Sequence, residues 1–355
     1  GLWGPSPVRS GVDRAWLDGV IAQIVEALGQ AVAAETPANA RYGTARSEEL
    51  LDDSRLPIVK DDVLRTLRFF DPDGKPLAGL VQWNCHPENL GSKNKQITAD
   101  FCWATVRDLE AAWDCPVAYF TGALGGLMSA PEGTLQGKAG NPLREGDFEF
   151  AEVYGSAVAD LAKRADASAQ PLTLTPLAAF AKPIALPLSN PGYKLLKTLG
   201  VLKRDAFEDT GDPYRFGPVT IRGDLKVAVE TEVAYLKLGE LHVAAIPGEI
   251  YPELVDGRYQ EPVDPNVDFP EAPLEEPLLK LLPGDKVLIL GLANDEVGYI
   301  LPKRQWDDEA PFAYGRTKKQ YGEVNSVGPE AAPVLHRALA DRIAEARAAS
   351  QPDDR

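Results

Sequence analysis

The sequence predicts a mixed α/β fold, in which a central sheet is flanked by helices. Three observations predict it: helical repeats of apolar residues, short apolar runs of strand length, and the lack of a regular strand–helix–strand rhythm. The chain has 355 residues, of which 44% are hydrophobic, and this is enough for a sizeable core. We therefore expect residues 1–348 to form a single domain and residues 349–355 to form a disordered tail.

The first half of the chain alternates between helix and strand patterns. Residues 13–34 carry apolar side chains at helical spacing and predict an amphipathic helix. The turn Asp71-Pro72-Asp73-Gly74 separates two strand-like segments, so residues 63–84 are expected to form a hairpin. Further elements are then predicted in order: a helix at 98–113 capped by Thr98, a buried strand at 116–120 and a helix at 147–165.

The second half is less regular in pattern. The proline-containing segments 170–225 and 257–285 are expected to be excursions from the core, the first with a short helix near 191–199. The remaining pattern predicts two antiparallel strands within 226–246 turned near Gly239-Glu240, a strand at 286–292 and a closing helix at 329–348.

Charge and hydropathy exclude several kinds of partner. Lys and Arg number 37 against 53 Asp and Glu, a net charge of −16. Such a balance disfavours nucleic acid and anionic lipid, both of which attract basic surfaces. No apolar run reaches about 18 residues, so no transmembrane segment is expected, and no segment has the pattern of a signal peptide. The three cysteines lack paired spacing and predict neither a disulfide framework nor a zinc ribbon. The oligomeric state cannot be deduced from these features.

The chain has only three histidines, so each can be considered separately. His86 follows the predicted hairpin, at a strand-to-loop junction of the kind where α/β sites collect. A purely structural histidine is the alternative for this position. His242 lies inside a strand and is expected to pack or to lie at the surface. His336 lies in the closing helix and is expected to be solvated.

Two more polar side chains follow apolar strands. Glu249 comes after Val243–Ile246 and Pro247-Gly248, which suits a metal ligand or a base, or else an acid in the first turn of a helix. Tyr299 also follows an apolar strand, where a packing role is the alternative. Nitrogen and oxygen donors of this kind are accepted by zinc, and the glycine-rich segment 122–126 could turn N–H groups toward an oxyanion. Sequence spacing alone does not bring these residues together.

Short motifs between residues 80 and 330 occur in a definite order. They are Cys85-His86-Pro87-Glu88, Ile97–Phe101, Gly122–Gly126, Ile246–Glu249, Asn294–Tyr299, and Tyr321-Gly322-Glu323 leading to Gly328-Pro329. This ordered set resembles the neutral/alkaline, non-lysosomal ceramidase family, and in particular its short bacterial branch. The resemblance implies a mixed α/β catalytic domain with Zn²⁺ in a deep pocket, a small-molecule or lipid-like substrate, and a secreted or periplasmic location.

The resemblance also implies roles for individual residues. His86, Glu249 and Tyr299 match three of the family's zinc ligands. Tyr321 matches a pocket tyrosine that would polarise the scissile carbonyl. The implied function is zinc-dependent hydrolysis of an amide or ester bond, as in an N-acyl lipid, by attack of zinc-bound water.

Two further residues are expected to take part in catalysis. Asp100 falls in a motif near the pocket, and backbone N–H groups around Gly125 would stabilise the oxyanion.

The chain departs from the family pattern in two places. The family's first metal motif, His-x-His, lies just before the segment that matches Gly1-Leu2-Trp3-Gly4, but no histidine precedes His86, so we expect this chain to be a fragment. Met128 stands where ceramidases carry the nucleophilic serine, and Ser129 is one residue further along. Direct attack by water needs no serine. The alternative is a degenerate member that binds an amphipathic or glycan-like ligand without turnover.

Overall fold

The computed structural model describes residues 11–221 and 225–349. The segment Gly1-Leu2-Trp3-Gly4 and the tail after Ala349 lie outside the described residues. The α-helices are α1 (Arg14–Ala33), α2 (Asp100–Trp113), α3 (Phe148–Ala167), α4 (Pro191–Thr198), α5 (Pro252–Asp256), α6 (Leu278–Leu281), α7 (Tyr321–Val324) and α8 (Ala331–Ala349). The strands are β1 (Asn39–Arg46), β2 (Leu51–Asp53), β3 (Val63–Phe70), β4 (Pro76–Trp83), β5 (Val117–Thr121), β6 (Leu127–Ser129), β7 (Gln170–Leu172), β8 (Leu177–Pro187), β9 (Phe207–Glu208), β10 (Val227–Leu238), β11 (Leu241–Ala245), β12 (Glu249–Ile250), β13 (Val287–Leu290) and β14 (Tyr299–Ile300).

The mixed α/β class is confirmed, but the centre of the fold contains two sheets where the sequence predicted one. The first has the strand order β5-β4-β3-β1-β7, and the second has β13-β11-β10-β8 with β9 paired to β10. Both sheets are mixed: β4 pairs with β5 and β11 with β13 in parallel, while the other pairs in these two sheets are antiparallel.

The two sheets are inner layers between helices. Helices α2 and α3 cover the first sheet, α8 covers the second, and a third apolar cluster fills the space between the sheets. Alternation along the strands produces this arrangement, because successive side chains point to opposite faces. In β3, Leu64 faces the helices and Leu67 faces the other sheet. In β13, Leu288 faces the first sheet and Ile289 faces α8.

Most elements predicted from local patterns are present. The hairpin is β3 and β4, and its turn is held by the Asp71 carboxylate, which accepts N–H groups of Asp73 and Lys75 at 3.0 and 2.8 Å. The helices at α2, α3, α4 and α8 and the strands at β10, β11 and β13 also lie within a few residues of their predicted bounds. The predicted cap at Thr98 is wrong by one residue, because the N-cap of α2 is Ala99; the Thr98 hydroxyl still accepts the N–H of Asp100 at 2.9 Å.

Two of the predicted elements are more exposed than their apolar patterns suggest. The helix predicted at 13–34 forms as α1 with Asp13 at its N-cap, but none of its residues is buried. Its apolar pattern therefore does not correspond to a face packed on the described part of the chain. Strand β5 is partly exposed because it lies at the edge of its sheet, so the prediction of a buried strand at 116–120 is wrong.

Candidate functional site

The candidate site lies where the carboxyl ends of two parallel strand pairs meet. Loops follow β4 and β5 in one sheet and β11 and β13 in the other. The N–H of Gly122 donates to Trp83 O at 3.1 Å, and the N–H of Gly291 donates to Thr121 O at 3.2 Å. A Cβ at Gly291 would lie 2.3 Å from Gly122 O, so only glycine allows the two loops to approach this closely. The carboxyl ends of parallel strands are where α/β folds usually place their ligands.

Asn84 connects the end of β4 to its neighbours, just before His86. Its side-chain amide donates to the backbone oxygens of Asp61 and Val63 at 2.8 and 3.2 Å. Its oxygen accepts from Gln82 Nε2 at 2.8 Å and from the N–H of Ala123 at 3.1 Å. Asn84 is fully buried, so these hydrogen bonds fix the backbone that carries His86.

The His86 ring is oriented by its two nitrogens. Nδ1 lies 2.9 Å from Leu127 O, and because a carbonyl only accepts, Nδ1 carries a proton. Nε2 therefore faces Glu249 Oε2, with which it makes a short contact, and it lies 3.4 Å from the Tyr299 hydroxyl. A close approach of imidazole nitrogen and carboxylate oxygen requires a proton or a cation between them.

Glu249 and Tyr299 reach this point from one short ladder. Strands β12 and β14 run parallel, with Glu249 and Tyr299 as Cα partners. The ladder is fixed to the site because the N–H of Glu249 donates to Gly298 O at 3.1 Å, and that of Tyr299 to Asn325 O at 3.1 Å.

The protonation of both side chains follows from their surroundings. Burial alone would lower the pKa of His86, but the hydrogen bond and charge of Glu249 outweigh it and raise this pKa above its usual value. Burial, followed by the charge of Glu249, raises the pKa of Tyr299, so the phenol keeps its proton when no cation is present.

These residues line one wall of a cavity of about 480 Å³. Apolar residues Leu188, Val229 and Val327 line it too, which suits a partly apolar ligand. Glu296 lines the same cavity, and burial, together with the nearby charge of Glu249, raises its pKa to about 7. The sequence predicts no role for Glu296, although the residue belongs to the Asn294–Tyr299 motif; its position shortly after an apolar strand is the available signal.

Of the residues expected in catalysis, Tyr321 lies at the cavity, while Asp100 lies outside its lining. Tyr321 is 72% exposed, and its ring centroid is 5.7 Å from that of Tyr299. Asp100 accepts the N–H groups of Asn89 and Leu90 at 3.2 and 3.0 Å. Its carboxylate thus shapes the loop that follows His86.

Gly125 packs against the backbone of Glu249 and Ile250. Its N–H donates to Ile250 O at 3.0 Å and is therefore already engaged within the fold. A Cβ at this position would lie 2.8 Å from Glu249 O. Gly125 thus allows β12 to approach closely, and it contributes no free N–H to an oxyanion.

Met128 and Ser129 lie in β6, which pairs with β2, and neither lines the cavity. The other two histidines do not line the cavity either. His242 is buried and its Nδ1 lies 2.6 Å from the Tyr235 hydroxyl, which is the expected packing role. His336 is buried and donates from Nδ1 to Glu276 O at 2.8 Å, so the expectation that it is solvated is wrong.

The donor set fits zinc through its chemistry. In the two described ranges, no three His, Cys, Asp or Glu side chains form a group that could hold a metal ion. A metal at this point therefore depends on the Tyr299 phenol as third donor beside His86 and Glu249. One nitrogen and two oxygens are donors that zinc accepts, and the Nδ1 contact to Leu127 O is the outer support that metal-binding histidines usually have.

A buried ion-pair cluster around Arg55 was not predicted. Arg55 donates to Glu323 Oε1 and to Gln305 O, both at 2.7 Å, and its guanidinium carbon lies 5.2 Å from the centroid of the Tyr251 ring. Glu323 belongs to α7, the same short helix as Tyr321. The cluster therefore connects the segment around Arg55 to the helix that carries Tyr321.

The fold and site together define a mixed α/β protein with a cavity, lined by both polar and apolar residues, at the carboxyl ends of its parallel strands. Two solved structures are similar in fold. A neutral ceramidase from Pseudomonas aeruginosa superposes with a TM-score of 0.65 at 14% identity, covering 94% of this chain and 56% of that one. A ceramidase complexed with C2 gives 0.60 at 13% identity, covering 90% and 55%.

These similarities show a ceramidase-like fold. The chain spans a little over half the length of both structures. The sequence matches no protein-family model and no curated protein. Across the described ranges, no helix is both long enough and apolar enough to cross a membrane.

Proposed function

We propose that this chain carries the site of a zinc-dependent hydrolase that cleaves an amide or ester bond. The observation that carries the proposal is the convergence of His86, Glu249 and Tyr299 from three separate strand ends on one cavity. These three side chains would hold the metal. The ceramidase-like fold supports an amide bond as the target.

The residues of the chain would each contribute to the reaction in a definite way. Zinc bound at this point would supply a Lewis acid and lower the pKa of a coordinated water. The Leu127 carbonyl holds the His86 ring so that Nε2 faces the cavity. Glu296, whose pKa of about 7 suits proton transfer near neutrality, would accept and return the proton. The Tyr321 hydroxyl would donate a hydrogen bond to the carbonyl oxygen of the substrate.

The substrate would be an N-acyl lipid or a related acylated molecule. The apolar part of the cavity lining supports an acyl chain, and the fold of the two ceramidase structures supports an amide. An exported location is a further proposal, which rests on the family resemblance.

Ligand binding without turnover is a second candidate. It is favoured because only one of the chain's three histidines reaches the cavity and because neither Met128 nor Ser129 lines it.

Elemental analysis of the purified chain tests the proposal. We expect about one zinc per chain, lost in His86→Ala and Glu249→Ala and retained in His242→Gln, which changes a histidine away from the site. Circular dichroism should show the same fold in all four proteins. Metal-free wild type with an intact fold would contradict the metal site. Zinc binding without cleavage of any amide or ester across a broad panel would favour the second candidate.

A further inference from the structure

The candidate cavity is lined by a cationic side chain that the proposed chemistry does not use. Lys197 lines the cavity together with His86 and Glu249, on the face of α4 that also presents Tyr193. Residues four apart lie on the same face of a helix, about 6 Å apart along its axis. The Tyr193 hydroxyl donates to Asn325 O at 3.0 Å, which fixes this face of α4 against the cavity.

The Lys197 ammonium has no carboxylate partner. In the part of the chain that the structure describes, it makes no ion pair and no side-chain hydrogen bond, although it is only partly exposed. The other cation in the cavity lining, Arg204, is neutralised by an ion pair with Asp295. Other lysines of the described residues, such as Lys60 and Lys75, also lack an ion pair, but they do not line this cavity. Lys197 therefore contributes an unpaired positive charge to the lining of the cavity.

The cavity lining also carries negative charges. Glu88, Glu249 and Glu296 are the acidic residues that line it. Glu249 and Glu296 act electrostatically on Tyr193, and Lys197 lies one helical turn further along α4. A negative group on a ligand would be repelled near the acids and attracted at Lys197.

We infer that the ligand of this cavity carries an anionic group, a carboxylate or a phosphate, on a chain that reaches Lys197 from the scissile bond. The inference rests on the proposed function in that it places the scissile bond at His86, Glu249 and Tyr299. The apolar lining takes the acyl chain. A neutral acylated molecule lacks the group that Lys197 binds, so it is the poorer ligand.

Ligand-observed NMR of the purified full chain tests this inference, because it reports binding and hydrolysis in one sample. The carboxylate probes are N-octanoylglycine, N-octanoyl-β-alanine and N-octanoyl-4-aminobutyrate, each beside its neutral primary amide. This series varies the reach of the anion. The phosphate probe is N-octanoyl-phosphoethanolamine, beside N-octanoylethanolamine. We expect at least one anionic probe to bind about fivefold more tightly than its neutral partner.

The variants assign that preference to one side chain. Lys197→Gln should abolish it, while Lys194→Gln, a change on the same helix outside the cavity lining, should preserve it. Equal binding of charged and neutral probes by the wild type, no binding of any probe, or a preference that survives in Lys197→Gln would overturn the inference. Hydrolysis separates the two proposals. Equal cleavage of charged and neutral probes would support the hydrolase and contradict an anionic ligand. A Lys197-dependent preference without cleavage would support an anionic ligand and contradict the hydrolase.

Discussion

Glu249 and Tyr299 are Cα partners in a parallel ladder only two residues long, so their side chains leave it on the same face. The ladder places a carboxylate and a phenol side by side, facing the His86 ring. Its position depends on Gly298, whose carbonyl accepts the N–H of Glu249. The arrangement of the candidate ligands is therefore a property of the backbone, and a backbone substitution should disturb it.

Gly298→Ala should remove zinc binding and destabilise the fold. Gly298 has a φ of +89°, and a Cβ there would lie 2.1 Å from Asn325 O, a backbone atom that cannot move freely. We expect a loss of about 3 kcal/mol in the free energy of unfolding, measured by urea denaturation, together with loss of zinc.

Gly315→Ala is the matched control for this change. Gly315 also has a positive φ, +66°, but a Cβ there meets nothing within 4 Å. It should lose only about 1 kcal/mol and keep its zinc. Equal effects in the two variants would mean that the contact with Asn325 does not position the ladder.

Asn84→Ala should destabilise the protein by about 3 kcal/mol, because it removes four hydrogen bonds and leaves buried partners unsatisfied. The measurement is urea denaturation, with zinc content as the second readout because Asn84 holds the strand end before His86. Asn94→Ala, at a side chain whose amide bonds locally to Gln96, should change stability by less than about 0.5 kcal/mol. A small effect at Asn84 would show that the loop holds His86 by other contacts.

Local patterns predicted the elements well because they depend on neighbours in sequence. Hairpin residues, amphipathic helices and apolar runs each carry their own signal. The division into two sheets carries no such signal, since it depends on which distant strands pair. Strand β1 was not predicted at all: its residues 39–46 alternate weakly in hydropathy, yet it lies between β3 and β7 inside the first sheet.

The candidate site was predictable to the extent that motifs marked it. His86, Glu249 and Tyr299 follow strands and belong to the ordered motifs, and the structure brings them together. Tyr193 and Lys197 could not be found in this way because α4 contains no motif. The burial of His336 does not follow from the sequence either, because the pattern predicts that 257–285 is an excursion, whereas its residue Glu276 packs against α8.

Arg55→Met should be strongly destabilising, because it leaves the Glu323 carboxylate buried without its cation. Both side chains are at most 2% exposed, and removing one partner of such a pair costs about 3–5 kcal/mol. The double variant Arg55→Met with Glu323→Gln should recover a large part of that loss, since the Glu323 charge is then removed together with its cation. Thermal and urea unfolding of the three proteins measure the coupling.

Arg46→Met provides the comparison for a surface pair. Arg46 pairs with Asp62 at 2.7 Å, but its side chain is 68% exposed, so the loss should stay below about 1 kcal/mol. If the double variant at Arg55 and Glu323 is no more stable than Arg55→Met alone, the unpaired carboxylate is not the cause of the loss.

His336 should make the protein less stable as the pH falls from about 6.5 to 4. Burial lowers its pKa to about 4, so the unfolded chain takes up a proton in this range while the folded chain does not. The contribution of the neutral ring is fully present above the unfolded pKa of about 6.5 and is lost as the pH falls to the folded value, a difference of about 3 kcal/mol. Urea denaturation at half-unit pH steps measures it.

Buried acids titrate in the opposite sense, so the comparison must be made against a variant. Burial raises the pKa of Glu253 to about 8 and that of Asp53 to about 6, and these groups favour the folded state at low pH. His336→Gln keeps both acids and removes only the histidine. The wild type should therefore lose stability relative to His336→Gln between pH 6.5 and 4. Parallel curves for the two proteins would show that His336 does not titrate with the lowered pKa that its burial implies.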